Sequence, residues 1–146
     1  MTRAGEVDIL LVEDDANDAE FALRAMRRAA VPPRVLHLDD GDRALDYLFS
    51  EGEFAGRPQR PRPCVVLLDV KLPRIDGIEV LGRLKADPRT RDIPVVMLTS
   101  SREPRDVAAC YGRRVNSYVV KPVNFETFTL LLAELARYWT EVNEAP

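Results

Sequence analysis

Residues 64–68 read Cys-Val-Val-Leu-Leu, a continuous apolar run that stops at the carboxylate of Asp69. A run this short, bounded by polar residues, is typical of a strand that is buried on both faces of a sheet. We interpret four other segments as further strands: residues 7–12, 34–38, 94–98 and 117–120. The sheet that these strands form is therefore predicted to be covered on both sides.

Amphipathic segments separate and follow the predicted strands. Their apolar spacing favours five helices: about residues 16–30, around 45–49, from 78, from 104, and 125–142. Asp76 and Glu79 have the spacing of an N-terminal capping box at the start of the third helix. Strands that alternate with helices in this way imply right-handed crossovers and a parallel sheet with helices on both faces. The pattern therefore predicts the α/β class.

Length and composition are those of an ordinary single-domain protein. The chain has 146 residues, of which 46% are hydrophobic and 31% are charged. We expect one domain. The net charge of −3 argues against nucleic-acid binding, which depends on an excess of Lys and Arg. Neither a membrane helix nor a signal peptide is indicated, and two cysteines form no disulfide framework, so we expect a cytoplasmic location.

Polar side chains follow four of the predicted strands at the point where each strand ends. Glu13 and Asp14 follow the first strand, and Asp69 follows the third. Thr99 follows the fourth strand and Lys121 follows the fifth. In open α/β sheets, ligands bind at the carboxyl ends of the strands. We therefore expect acids, a hydroxyl and an amine from four separate parts of the chain to meet at one edge of the sheet.

The chemistry of this set suits a metal ion and a phosphoryl group. Two carboxylates about 4 Å apart repel each other by about 4 kcal/mol at an effective dielectric near 20, so a raised pKa or a cation has to offset the repulsion. Oxygen ligands suit Mg²⁺ rather than Zn²⁺, and the single histidine, His37, excludes most His-based metal sites. A carboxylate held against a phosphoryl group can act as a nucleophile. Asp69 is the best candidate for this nucleophile, because it follows the most apolar of the predicted strands.

Each of these residues, taken alone, has an ordinary structural explanation. Acidic residues after a strand are often helix caps, and we predict that Asp15 is one. An isolated lysine is most often a surface charge, and an isolated threonine often ends a strand. The coincidence of polar residues at four strand ends is what favours a functional site.

Five short motifs in this order resemble the receiver domain of bacterial two-component response regulators. They are Leu11-Val12-Glu13-Asp14-Asp15, Leu67-Leu68-Asp69, Leu72-Pro73 with Asp76-Gly77, Leu98-Thr99-Ser100, and Tyr118-Val119-Val120-Lys121-Pro122. The resemblance extends over about residues 7–142, nearly the whole chain, and implies a single receiver domain with no separate output domain. It implies a flavodoxin-like fold, a doubly wound five-stranded parallel sheet in the order 2-1-3-4-5.

The resemblance also implies the roles of the acidic residues. Asp69 accepts a phosphoryl group from a phosphohistidine on a sensor histidine kinase. Asp14 and Asp69 bind Mg²⁺ directly, the backbone carbonyl of Lys71 is a third ligand, and Glu13 acts through water.

A second group of residues is implied to respond to the phosphoryl group. Thr99 and Lys121 contact its oxygens, and Tyr118 is the switch aromatic that turns inward when Thr99 is recruited. The resulting change is expected on the fourth helix, fifth strand and fifth helix. The Lys121–Pro122 peptide bond is expected to be cis.

A closer resemblance is to the small stand-alone regulators that partner phytochrome-type kinases, which are often dimeric. Output by protein contact or as a phosphate sink is expected, with an unknown downstream protein. A homodimer would use the fourth helix, fifth strand and fifth helix together with Tyr138 and Trp139. The apolar stripe of the last helix, including Phe125, is expected to be mainly core.

Three alternatives stay open at this point. A phosphatase with an aspartyl-phosphate intermediate would have a second Asp where Lys71 stands, and a flavodoxin-like cofactor binder would not place acids after its first strand. A pseudo-receiver that only binds partners is the third. We expect that the protein is not an enzyme, and that the only reactions it promotes are its own phosphorylation from small donors and its own dephosphorylation. Lys71 and Ser101 occupy positions that influence how fast receivers lose the phosphoryl group. The sequence does not indicate whether these two residues speed or slow that loss.

Overall fold

Five strands pair in parallel in the computed structural model, which describes residues 6–146. They are β1 (Ile9–Val12), β2 (Val35–Leu38), β3 (Val65–Leu68), β4 (Val95–Thr99) and β5 (Ser117–Val120). Their order across the sheet is β2-β1-β3-β4-β5, so the predicted fold class and strand order are confirmed. Val12 is in register with Leu38 on one side and Leu68 on the other, and Thr99 is in register with Val120. The carboxyl ends of neighbouring strands therefore lie side by side.

Five helices connect or follow the strands. They are α1 (Ala16–Arg27), α2 (Gly41–Phe49), α3 (Gly77–Ala86), α4 (Pro104–Gly112) and α5 (Phe125–Arg137). A short 3₁₀ turn at Gly52–Phe54 follows α2, and one turn of π-helix at Tyr138–Val142 follows α5. Within residues 6–146, none of the helices combines the length and the apolar character that a bilayer-spanning helix requires.

The apolar runs are continuous because both faces of the sheet are buried. Alternate side chains of the central strands point to opposite faces, as the two-residue period of a strand requires. Ile9, Leu11, Val65 and Leu67 pack with α1 and α5, whereas Leu10, Val12, Val66 and Leu68 pack with α2, α3 and α4. Burying each of these side chains stabilises the fold by about 1.5–3 kcal/mol. β1 and β3 are therefore held firmly, and so are the residues that follow them.

Side-chain caps start the helices that follow β1 and β3. Asp15 accepts hydrogen bonds from the backbone N–H groups of Asn17 and Asp18, as predicted. Asp76 likewise accepts from the N–H of Glu79. The reciprocal half of the predicted capping box is missing, because the Glu79 side chain pairs with Arg83 one turn later.

Several sequence-based expectations differ from the structure at helix ends. α1 ends at Arg27 rather than near residue 30, and the α-helical part of α5 ends at Arg137 rather than at residue 142. Phe125, expected in the core, is 47% exposed at the first residue of α5. Its ring instead packs edge-to-face on Phe21 of α1 at 5.0 Å between centroids.

The Lys121–Pro122 bond, expected to be cis, is trans. Among the described residues the cis bond is Arg60–Pro61. Trans is the lower-energy isomer of an X–Pro bond by about 0.5–1 kcal/mol, and only tertiary contacts can reverse that preference. A proline in the sequence therefore does not identify its isomer.

Candidate functional site

Three carboxylates meet where β1 and β3 end. Because Val12 and Leu68 are in register, the residues that follow them are neighbours. Glu13, Asp14 and Asp69 each offer one carboxylate oxygen, and these oxygens all lie within 4.8 Å of one another. Glu13 and Asp69 are buried and Asp14 is exposed. The predicted convergence of acids at this edge is present, and its oxygen donors suit a hard divalent cation.

Lys121 reaches the same place from the end of β5. Its ammonium forms ion pairs with Glu13, with Asp18 at 2.9 Å and with Asp69 at 3.1 Å. The residue is only 9% exposed. An ammonium has three donors, so the three carboxylates use all of its hydrogen-bonding capacity.

The surroundings in this cluster raise the pKa of both Glu13 and Lys121. Burial raises the pKa of Glu13 from 4.5 to about 7, and the negative charge of Asp69 adds to this, whereas the hydrogen bond from Lys121 opposes it. Burial alone would lower the pKa of Lys121, but its hydrogen bonds to Glu13 and Asp18 and the charge of Asp69 outweigh burial and raise it. Like charges held together out of water in this way attract a cation.

His37 supports the acidic loop from β2. Its Nε2 lies 2.7 Å from the carbonyl oxygen of Glu13, so the ring donates to that oxygen. This contact gives His37 a structural role. It helps to fix the backbone that presents Glu13 and Asp14.

Thr99 and Tyr118 are linked through Ser101. Thr99 is fully buried at the end of β4, and its Oγ1 accepts a hydrogen bond of 3.2 Å from the backbone N–H of Ser101. The hydroxyl of Tyr118 donates to the carbonyl oxygen of Ser101 at 2.9 Å. Asp69, Thr99 and Ser101 line one cleft, and the Tyr118 hydroxyl is linked to that lining through Ser101.

Lys71 follows Asp69 by two residues and makes two separate contacts. Its backbone N–H donates to Oδ1 of Asp69 at 3.3 Å. Its ammonium points to α4, where it lies 3.6 Å from Oδ2 of Asp106. The charge of Lys71 is therefore paired with a helix rather than with the acidic cluster.

The glycine of the Asp76-Gly77 motif positions Asp69. Gly77 donates its N–H to the carbonyl oxygen of Val70 at 2.8 Å, which draws the start of α3 against the β3–α3 loop. A Cβ atom at this position would lie 1.9 Å from the carbonyl oxygen of Asp69. A residue without a side chain is required for α3 to pack so close to the Asp69 backbone.

The site forms a cleft of about 580 Å³ whose lining includes Glu13, Asp14, Asp69, Lys71, Thr99 and Lys121.

Two functional candidates were not foreseen from the sequence: Asp18, which pairs with Lys121, and Asp106, which pairs with Lys71. Both lie in the first turn of a helix, where an acidic residue is common because it complements the helix dipole. The sequence signal for both residues was their short separation along the chain from the end of the preceding strand.

Comparison with known proteins shows the family. The family model described as the response regulator receiver domain matches residues 9–133. The chain belongs to the receiver domain family of response regulators. It is thus a receiver-domain signalling protein rather than a classical enzyme, and the resemblance inferred from its five motifs is confirmed.

Its relatives include proteins of full receiver length. The probable methanogenesis regulatory protein FilR2 of Methanothrix harundinacea (strain 6Ac) is 42% identical over 94% of this chain and 86% of its own. The crystal structure of the phosphorylated cyanobacterial phytochrome response regulator RcpA is 36% identical, with a TM-score of 0.87 over 94% of this chain and 96% of that one.

A third relative is relevant to the acidic cluster. The Mn²⁺-bound form of Rcp1, a response regulator of Synechocystis, has 35% identity and a TM-score of 0.86 over 94% of this chain and 97% of that one. Receiver domains of this family thus bind a divalent metal ion, and the oxygens of Glu13, Asp14 and Asp69 are grouped as such a site requires.

Proposed function

We propose that this protein accepts a phosphoryl group on Asp69 from a sensor histidine kinase. A carboxylate oxygen of Asp69 attacks the phosphorus of a phosphohistidine, the P–N bond breaks, and the imidazole leaves with its electron pair. The observation that supports this is a buried carboxylate at the base of an open cleft, with a buried ammonium 3.1 Å away. Such an arrangement suits the formation of an acyl phosphate.

Mg²⁺ is the proposed metal ion. Asp14, Asp69 and the backbone carbonyl of Lys71 would hold it, and Glu13 would act through water. The support is the group of carboxylate oxygens from Glu13, Asp14 and Asp69, which lie within 4.8 Å of one another. Bound there, the ion would neutralise charge on the phosphoryl oxygens and on the acids. Ionised Glu13 would then be favoured, because a cation lowers the pKa of a nearby carboxyl.

Lys121 and Thr99 are the proposed contacts of the phosphoryl group. Phosphorylation adds about −1.5 to −2 charge and three acceptor oxygens. The ammonium of Lys121 already serves three carboxylates, so it has to exchange one of them for a phosphoryl oxygen. The hydroxyl of Thr99 accepts a hydrogen bond from Ser101, which leaves its own hydrogen free to donate.

Tyr118 is the proposed reporter of this contact. Ser101 is bonded to Thr99 through its N–H and to Tyr118 through its carbonyl oxygen. A movement of Thr99 toward the phosphoryl group would therefore displace the loop that holds the Tyr118 hydroxyl. The affected surface consists of α4, β5 and α5, and the phosphoryl group can shift it only through contacts that differ between the two states.

The acceptor role is tested by replacing Asp69 with Asn. We expect Asp69→Asn to abolish labelling by a phosphorylated kinase and by acetyl phosphate, measured as the mass increase of one phosphoryl group. Asp15→Asn is the matched control, because it lies in the same cleft but asparagine caps a helix as well as aspartate does. Persistent labelling of Asp69→Asn would refute the assignment. Absence of labelling in the wild-type protein with every donor would favour a pseudo-receiver.

A phytochrome-type kinase is the proposed phosphoryl donor in the cell. The support is the similarity to RcpA over nearly the full length of both chains. The test is transfer from a panel of purified, autophosphorylated kinases, in which a phytochrome-type kinase should label Asp69 fastest. A faster donor of another sensory type would replace this assignment. Self-phosphorylation from acetyl phosphate and self-dephosphorylation are the only reactions that we expect without a kinase.

The proposed homodimer would use the surface of α4, β5 and α5 with the aromatic residues that follow α5. Tyr138 is 44% exposed and packs edge-to-face with Trp139, which also contacts the apolar core under α5. Sedimentation of Trp139→Ala tests this. Tyr138→Ala separates the interface from the core, because Tyr138 lies outside both core clusters. Unchanged association of both variants would remove these aromatics from the interface.

A further inference from the structure

Asp106 is a buried carboxylate that the phosphoryl chemistry does not use. It lies in the first turn of α4 and is only 7% exposed. Its Oδ2 accepts a hydrogen bond of 2.6 Å from the Ser101 hydroxyl and lies 3.6 Å from the ammonium of Lys71. The side chain of Lys71 is 67% exposed, so its stem is free to turn. One carboxylate on α4 therefore joins the loop after β3 to the loop after β4.

These contacts belong to a series of interactions that begins at Asp69, the proposed phosphoryl acceptor, and ends at Thr99. The backbone N–H of Lys71 donates to Asp69, and the Lys71 ammonium pairs with Asp106. Asp106 accepts from the Ser101 hydroxyl, and the Ser101 N–H donates to Thr99. Asp69 and Thr99, the two ends of this series, line the same cleft, as does Lys71. A ligand bound in that cleft would therefore lie near Lys71, whose ammonium is paired with Asp106.

We propose that Asp106 is a positioning residue that competes with the phosphoryl group for the ammonium of Lys71. The inference rests on the proposed phosphorylation of Asp69. A phosphoryl group carries about −1.5 to −2 charge, more than the single charge of Asp106, so it draws the flexible lysine toward itself. When Lys71 leaves, the first turn of α4 loses its tie to the β3–α3 loop. Arrival of the phosphoryl group is in this way transmitted to α4 by a second route, separate from Thr99 and Tyr118.

The two equilibria are reciprocal. If the phosphoryl group weakens the Lys71–Asp106 pair, the pair must oppose binding of the phosphoryl group by the same factor. An ion pair with one exposed partner at 3.6 Å corresponds to a factor of about two to five. Release of Lys71 from Asp106 is therefore expected to tighten binding of a phosphoryl mimic by that factor.

A double-mutant cycle on the full chain tests this. The probe is beryllofluoride in excess Mg²⁺, and the readout is its dissociation constant by calorimetry. We expect Asp106→Asn to tighten binding about two- to fivefold, since asparagine still accepts from Ser101 but holds Lys71 less strongly. We expect Lys71→Met to weaken binding, and Asp106→Asn to have no effect in the Lys71→Met background. Glu103→Gln is the matched control, because Glu103 is an exposed acid that lines the same cleft.

The outcomes divide clearly. Equal tightening by Asp106→Asn with and without Lys71, or tightening by Glu103→Gln of the same size, would mean a general charge effect and overturn the proposal. Unchanged or weaker binding in Asp106→Asn would overturn it too. Lys71→Met alters an exposed side chain and leaves the core intact, so unchanged affinity in that variant overturns the proposal even where Asp106→Asn fails to fold. Failure of the wild-type protein to bind beryllofluoride would instead refute the proposed function on which the inference rests.

Discussion

Replacing Gly77 with Ala is expected to damage both the stability of the protein and the geometry of Asp69. The new Cβ would lie 1.9 Å from the carbonyl oxygen of Asp69 and 3.0 Å from Cα of Val70. Ordinary contacts begin at 3.4 Å, so the start of α3 and the β3–α3 loop would have to separate by about 1.5 Å. Both partners are backbone, and no side chain can turn aside to make room.

The magnitude follows from two effects. Overpacking of a closed interior costs about 1–3 kcal/mol. The separation also lengthens the hydrogen bond from the Gly77 N–H to Val70, whose loss costs about 1 kcal/mol. Alanine is the better helix former by about 1 kcal/mol, which offsets part of this. We expect Gly77→Ala to lower the free energy of unfolding by at least about 2 kcal/mol.

Gly82→Ala is the matched control on the same helix. Its Cβ would lie 3.5 Å from the nearest atom, a side-chain atom of Arg113, which is an ordinary contact. It should raise the free energy of unfolding by about 0.5–1 kcal/mol. The assay is urea denaturation, followed by acetyl phosphate labelling under native conditions. Stability of Gly77→Ala within about 0.5 kcal/mol of wild type, with an unchanged labelling rate, would refute the close-approach argument.

Three further predictions concern buried titratable groups. In metal-free protein the raised pKa of Glu13 keeps a proton on the folded state between pH 4.5 and about 7, where the unfolded chain has lost it. The free energy of unfolding should therefore fall as pH rises through this window, by up to about 3 kcal/mol. Urea denaturation in the presence of a chelator measures this dependence on pH, which should be absent in Glu13→Gln. Lys121→Met leaves buried acids without their partner and should cost about 3–5 kcal/mol, partly restored by Mg²⁺; an unchanged melting temperature in chelator would contradict this. Burial raises the pKa of Cys110 to about 11, so a thiol reagent at neutral pH should modify half-buried Cys64 first and Cys110 only upon unfolding, and equal rates would disprove the assigned burial.

Local patterns were sufficient for the strands and for the main site residues. An apolar run such as Val65–Leu68 is short, and it ends where the sheet ends, so the next residue lies at the edge whatever the neighbouring strands are. For this reason the sequence predicts that Asp69, Thr99 and Lys121 lie together. The order of strands has no such local signal, and only the resemblance to receivers supplied it.

Helix faces were predicted less well. Phe125 continues the apolar stripe of α5, yet it packs on Phe21 of α1 and stays 47% exposed, whereas Phe128 in the same turn is buried. Asp18 and Asp106 look like ordinary first-turn acids, but the packing of α1 and α4 brings them to Lys121 and Lys71. Spacing along a helix indicates which residues share a face, and leaves open what that face meets.

The amino-acid order alone thus determined the α/β class, the strand ends and the chemical types gathered there, because period, polarity and capping act over a few residues. Which carboxylate each lysine pairs with was decided by the tertiary structure. Lys121 reaches an acid 103 positions earlier in the chain, and Lys71 turns away from neighbouring Asp69 toward α4. Coulomb interactions depend on distance and burial rather than on separation in sequence, so these pairings exist only once the helices have packed.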